Sequence, residues 1–282
     1  MARTGHGAAP HATDLATEAD GAPTVGVADY VDEAYVFLGA GAAILLQLAM
    51  PGVGHGVADH SDVLHHPLSR LRTTMSYIYA VALGTDDERR EIVRMVNKAH
   101  VPVRSETYNA FDPDLQLWVA ATLYHGGVDL HRRFRGPLRP VSAERVYRES
   151  MAYGTALQVH PEMWPDTVAG FDRYWARTMD TLSVDDQVRA FTHTLLATRS
   201  APWFLRPLMP LNRFVTKGLL PQQARDAFAL PWSARHQRAF DLLFRILPLV
   251  YGVVPRFLRT MPARLYLADM RRRLRSGRGL AH

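Results

Sequence analysis

The sequence predicts an all-α fold arranged as a single packed helical domain. Three observations predict it. Apolar residues recur at three-to-four spacing in one segment after another. Helix starts carry Asp, Thr or Ser caps or a first-turn proline, and helix ends carry Gly or Pro. Alternating β-branched runs are missing, and no Asn-Gly or Asp-Gly turn is flanked by strand-like segments.

Taken in order, residues 1–25 are rich in Ala, Gly, Thr and His and read as a flexible lead-in. They lack the continuous apolar stretch of a signal peptide, so a bacterial cytoplasmic location is expected, with membrane association as the alternative. The helical domain spans 26–270. Residues 34–53 are strongly apolar and long enough to cross a bilayer. Gly39, Gly41 and Gln47 dilute them, and Pro51-Gly52 breaks them. A buried helix over 35–49 that stops at Pro51 is therefore the expected structure. Pro67 opens a helix to Leu83, with Leu68, Leu71, Met75, Ile78 and Ala82 as its apolar stripe. Gly84 ends it. Thr85 and Glu88 have the spacing of a capping box. The next helix runs to His100 and aligns Ile92, Val93, Val96 and His100, and Pro102 stops it. Asp112-Pro113 caps a long helix through Leu115, Trp118, Thr122, His125 and Asp129 to Phe134. Segments 142–157 and 165–182 read as amphipathic helices, and Ser183 with Gln187 caps another through Leu196.

The last third is helical and punctuated by prolines, including Pro202, Pro248, Pro255 and Pro262, which should mark connections. Its apolar patch, 244–257, is expected to be core, with a peripheral membrane contact as the alternative. Residues 271–282 form a basic tail beginning Arg271-Arg272-Arg273 and including Arg278. A solvated helix end suits it, with cations near the negative end of the dipole. No zinc-finger, RNP or helix-turn-helix pattern is present, so nucleic acid is not an expected partner.

Composition narrows the chemistry. Hydrophobic residues make up 48% and charged residues 21%, enough for a substantial core. Cysteine is absent, which excludes disulfides, thiolate metal sites and a thiol nucleophile. HExxH, GxGxxG, the Walker lysine loop, GxSxG and Glu-x-x-His are also missing. What stands out is thirteen histidines. His6, His11 and His282 are terminal, and His55, His60, His65 and His66 cluster before the helix at Pro67. The small-residue stretch 55–62, read as a loop, could line a pocket or bind a metal. His55 and His60 lack the plus-four spacing of a helical metal pair.

His100 continues an apolar face, so its ring points inward and its nitrogens need partners. Two readings stand: a core histidine bonded to a backbone carbonyl, or an axial ligand to a haem held between helices. Arg70, Thr73, Thr74 and Tyr77 share a second helix face. That face is either simply solvated or presents Arg70 to a carboxylate and a threonine to a bound ligand.

Several stretches together resemble a known family: 39–53, which contains Gly39-Ala40-Gly41; 56–61, with Asp59-His60-Ser61; 67–74, through Gly84-Thr85; 100–104, His100-Val101-Pro102-Val103-Arg104; and 112–119, with Asp112-Pro113 and Trp118. In this order they resemble the family of the oxygenase MpaB and the rubber oxygenases, or latex clearing proteins. The resemblance is dense over 39–122 and thin beyond. It implies an α-helical fold with a globin-like core around haem b, and oxidation of an apolar, isoprenoid-type substrate with dioxygen or peroxide. It implies His100 as the proximal iron ligand. Arg70 and Thr74 match the distal Arg-x-x-Lys-Thr pattern, with Thr73 where rubber oxygenases place lysine. Tyr77, His60 and Trp118 are expected to line the cofactor pocket. Ala120 departs from relatives that place His there. A haem-binding sensor or carrier, and a non-haem metal enzyme built on the histidines of 55–66, are the alternative functions.

Overall fold

In the computed structural model, residues 23–197, 203 and 206–277 are described. The lead-in 1–22, Pro202, Arg278 and His282 lie outside them. Every element is helical, and the described residues contain no strand, only an isolated bridge between Arg104 and Asn109. The α-helices are α1 (Ala28–Val31), α2 (Ala40–Leu48), α3 (Pro51–His60), α4 (Pro67–Leu83), α5 (Asp86–His100), α6 (Pro113–Arg135), α7 (Pro140–Ser150) and α8 (Ala152–Thr155). They continue as α9 (Val168–Thr181), α10 (Asp186–Ala197), α11 (Met209–Leu219), α12 (Gln222–Ala227), α13 (Ala234–Val253), α14 (Arg256–Arg259) and α15 (Met261–Arg275).

The long helix α6 runs through the middle, packed by α2, α13, α7 and α8. Its buried residues Leu117, Trp118, Ala121, Tyr124 and Phe134 belong to one continuous hydrophobic core. The indole of Trp118 donates to the Leu46 carbonyl at 2.9 Å. That carbonyl lies in the last turn of α2, where helices leave acceptors unpaired. The expected caps form: the Thr85–Glu88 capping box starts α5, and Asp112 with first-turn Pro113 starts α6.

The chain departs from expectation in several places. Pro51 ends the apolar stretch but also opens α3, because first-turn proline gives up no helical hydrogen bond. Stretch 55–62 is therefore mainly helix, not loop. A 3₁₀ turn (Ala34–Gly39) precedes α2, and the α2 and α3 segments meet at a 107° bend. Gly54 permits that bend, since a Cβ there would sit 2.4 Å from the Leu48 carbonyl oxygen. No single described helix is long and apolar enough to cross a membrane. Segment 142–157 splits into α7 and α8 at Met151, and α9 starts at Val168 behind a Thr167 cap. Asp185, not Ser183, caps α10 through the Val188 amide, while the Ser183 amide donates to the Ala49 carbonyl. In α4, Met75, Tyr77, Tyr79 and Ala80 are buried while Leu68 is exposed. The covered arc is turned from the expected stripe because α5 and α15 both pack on this helix. Pro248 lies inside α13 and marks no connection. The patch 244–257 is only half core: Phe244 is buried, but Leu249, Val250, Val253 and Phe257 face solvent.

The C-terminal helices are tied to the body through Glu33, a buried carboxylate. Arg135 of α6 donates to its Oε1 at 3.1 Å, and the Tyr251 hydroxyl of α13 donates to its Oε2 at 2.7 Å. Arg259 of α14 adds a second positive charge 3.5 Å away, too oblique for a hydrogen bond. Glu33→Ala leaves these cations without their anion, so it should destabilise the fold by about 3–5 kcal/mol. Urea unfolding checks this, and a loss below about 1 kcal/mol would show that the pair contributes as weakly as a surface one.

Candidate functional site

Helices α4 and α5 pack as a hairpin joined by Gly84 and Thr85. Arg70 lies in the first turn of α4 and His100 ends α5, so the hairpin brings them to the same end of the domain. Their proximity is also electrostatic, because the charge on Arg70 lowers the pKa of His100. Burial is the larger cause, and together they push the imidazole down to about 4. His100 is therefore neutral at pH 7.

Neither ring nitrogen of His100 has a hydrogen-bond partner among the described residues, and Nδ1 is sealed from solvent. A buried polar atom without a partner costs about 1–3 kcal/mol. The backbone-bonded core histidine expected on one reading is thus not what forms. The edge of Phe111 meets the ring instead, with centroids 6.3 Å apart. Arg70 exposes much of its surface, yet enough protein surrounds its guanidinium for burial to lower its pKa. The guanidinium is therefore flanked by protein yet reached by water. It has no ion-pair partner among the described residues.

The other expected site residues occupy varied positions. The hydroxyl of Thr73 donates back to the Arg70 carbonyl at 2.9 Å, so its proton is turned onto its own helix. Thr74, half-buried on the same face, makes no side-chain hydrogen bond among the described residues. Tyr77 is buried, with its hydroxyl donating to the Tyr153 carbonyl at 2.7 Å. Trp118 is wholly buried and packs on Trp175 with ring centroids 4.9 Å apart.

His60 belongs to a separate polar chain on α3. The Tyr108 hydroxyl donates to Asp59 at 2.8 Å and contacts His60 Nε2 at 3.1 Å. Having given its own proton to Asp59, Tyr108 accepts from His60, which fixes that ring as the Nε2–H tautomer. His55 pairs with Asp185 at 2.6 Å. The histidines of 55–66 do not converge: among the described residues no three His, Asp or Glu side chains are placed to share a metal ion.

An amide network behind His100 escaped the sequence reading. Gln158 donates to Asn97 of α5 at 3.1 Å and receives a hydrogen bond from Gln116 of α6. Gln116 also donates to the Ala110 carbonyl at 2.7 Å and accepts from the Gln158 amide at 2.8 Å. These bonds pin the end of α5 and the segment carrying Phe111. Only the choice of buried glutamines near helix ends could have signalled it, and a single sequence does not separate those from exposed ones.

The described residues form an all-helical protein with a neutral imidazole and an unpaired guanidinium at the same end of a helix hairpin. Comparison with known proteins gives this arrangement its family. Residues 28–249 match the family described as "ER-bound oxygenase mpaB/B'/Rubber oxygenase, catalytic domain", and the chain belongs to it. It is also 41% identical over 247 residues to the uncharacterised proteins Rv2237 of Mycobacterium tuberculosis (strain ATCC 25618 / H37Rv) and Mb2261 of Mycobacterium bovis (strain ATCC BAA-935 / AF2122/97), covering 84% of this chain and 97% of each relative. No solved structure matches it significantly. The family is oxygenase-like, and Arg70 and His100 both fall within the matched region.

The imidazole has a consequence for stability. In the unfolded chain His100 protonates near 6.5, whereas in the fold it stays neutral down to about 4. The unfolded state therefore binds more protons between these values, and stability falls as pH drops through the window. His100→Leu should reduce the loss between pH 7 and pH 5 by about 1–2 kcal/mol. Urea titrations of both chains at the two pH values measure it, and parallel losses would contradict the desolvated, neutral imidazole.

Proposed function

We propose that this chain is a haem-b-dependent oxygenase-like enzyme acting on a small or medium apolar substrate, isoprenoid in type, with dioxygen or peroxide as oxidant. The observation that carries the reading is the half-buried, neutral imidazole of His100, its Nδ1 sealed and unpartnered, beside the unpaired Arg70. A neutral imidazole with no hydrogen bond is ready to ligate iron. It needs no deprotonation first, and ligation supplies a partner that the fold leaves out. An unpaired guanidinium flanked by protein suits a carboxylate such as a haem propionate. His100 would hold the iron, and Arg70 would hold a propionate or a substrate carboxylate. Haem b, when bound, supplies the redox centre that activates the oxidant.

The chain's own contribution is position and environment. The Gln116–Gln158–Asn97 network holds the end of α5, and with it the His100 backbone. Phe111 keeps one side of the ring apolar. Thr74 offers a hydroxyl donor on the Arg70 face. Thr73 keeps its oxygen as an acceptor while its proton remains on the Arg70 carbonyl. With threonine in place of lysine at 73, the site gains no second cation beside Arg70, which suits an uncharged, apolar substrate.

Absorption spectra and a pyridine haemochromogen assay of purified protein test the proposal. A Soret band and b-type haem near one per chain are expected. His100→Ala should abolish the bound haem, and Arg70→Ala should weaken its binding about tenfold or more, as for loss of a charge-assisted hydrogen bond. Full, unchanged haem in His100→Ala would sink the assignment. Oxygen or peroxide consumption that depends on an added isoprenoid separates an oxygenase from a carrier that binds haem without turnover.

A further inference from the structure

The outer face of the C-terminal helices has no counterpart in the His100–Arg70 site. On α13, Leu242, Ile246, Leu249, Val250 and Val253 recur at three-to-four spacing, and all five are exposed. Leu249 is 71% exposed and Val253 is 81% exposed. The same apolar surface continues around the turn as Phe257 and Leu258 of α14 and Met261 and Leu265 of α15. The opposite side of α13 is also apolar, through Phe240, Phe244 and Leu247, and it packs on the body. The helix is thus hydrophobic on both sides, while the described residues cover only one of them. A monomer rarely leaves more than about 300–600 Å² of contiguous apolar surface in water, and nine such side chains exceed what scattered surface residues explain.

The charge around this face selects its partner. Between residues 234 and 277 there are ten arginines against two aspartates, and although Arg256, Arg259, Arg271, Arg272 and Arg273 are ion-paired, the face keeps a cationic excess. Arg245 and Arg264 sit among the apolar residues, are exposed, and have no acidic partner among the described residues. A second copy docked by two-fold symmetry would set this same cationic face against itself. A nucleic acid would neutralise the arginines but leave the leucines and valines in water. A bilayer with anionic headgroups satisfies both: apolar side chains enter the acyl boundary, and arginine stems extend along it with their guanidiniums among the phosphates.

We infer that the α13–α15 face docks this protein onto the surface of an anionic lipid bilayer, without spanning it. The inference is independent of the proposed haem site, and neither depends on the other. Co-sedimentation of the full chain with vesicles tests it. Vesicles of equal parts phosphatidylglycerol and phosphatidylcholine should bind the protein, and high salt or pure phosphatidylcholine should weaken binding by about tenfold or more. The double variant Leu249→Glu/Val253→Glu changes only exposed positions. It should lose about tenfold or more in vesicle binding while its helix content and haem content stay at the parent's level. Arg245→Glu/Arg264→Glu should lose the preference for anionic vesicles. Absence of binding by the parent would overturn the inference, as would undiminished binding by the apolar double variant. So would a salt-resistant parent dimer, seen by light scattering, that the same variant dissociates, since the face would then belong to a second copy.

Discussion

The arrangement of this fold rests on one buried anion. Glu33 sits between the first turns of the domain and its last helices, with Arg135, Tyr251 and Arg259 drawn onto its two oxygens. A buried carboxylate is tolerated only when its charge and lone pairs are answered. Satisfying it fixes α6, α13 and α14 at once, although they are distant in sequence. Around it the aromatic rings of Tyr35, Phe134 and Tyr251 close, with Tyr35 stacked on Phe134 at 4.7 Å. Arg259 lies over the Tyr251 ring, so the same cation serves the carboxylate and the aromatic cluster. α13 is held by its inner face and by this network. It therefore needs no cover on its outer face to remain in place, which is how so apolar a surface persists on a folded chain.

Much of the scaffold around the His100–Arg70 site was legible because its signals are local. The Pro67 start, the Gly84 stop, the Thr85–Glu88 box and the Asp112-Pro113 start each involve neighbours within one helical turn. Each formed where the residues placed it. The hairpin that juxtaposes Arg70 and His100 follows from two such helices and a short turn. Periodicity also gave the inward direction of His100. It did not give the missing partner of Nδ1, because that depends on which groups the rest of the fold brings up to the ring. Spacing left haem as one of two readings of His100, and family resemblance gave it preference.

The misreadings have a common physical origin in long-range packing. Pro51 carries both a stop and a start signal, and which one dominates depends on the close approach of Gly54 to the Leu48 carbonyl. Ser183 resembles a cap, but its amide is taken by Ala49 across the fold, leaving Asp185 to cap α10. His55 and His60 look like a ligand cluster in sequence. On α3 they point to different partners, one to Asp185 and the other to Tyr108. The patch at 244–257 is apolar enough to be core on composition alone. Whether a second layer covers it is a property of the tertiary fold.

The His100–Arg70 site and the open face present the same kind of problem in different chemistry. In the first, a polar group is removed from water without receiving a hydrogen bond. In the second, apolar groups remain in water without receiving a neighbour. Each costs free energy that packing elsewhere must offset. They also constrain one another through α15, which packs on α4 with its inner side while carrying Leu265 outward. The path from the outer face to the helix bearing Arg70 is therefore a single helix thick. An apolar molecule dissolved in a membrane is dilute in the surrounding water and concentrated in the acyl layer. For a protein proposed to oxidise such a molecule, docking through the proposed bilayer face would shorten the aqueous crossing that otherwise limits encounter.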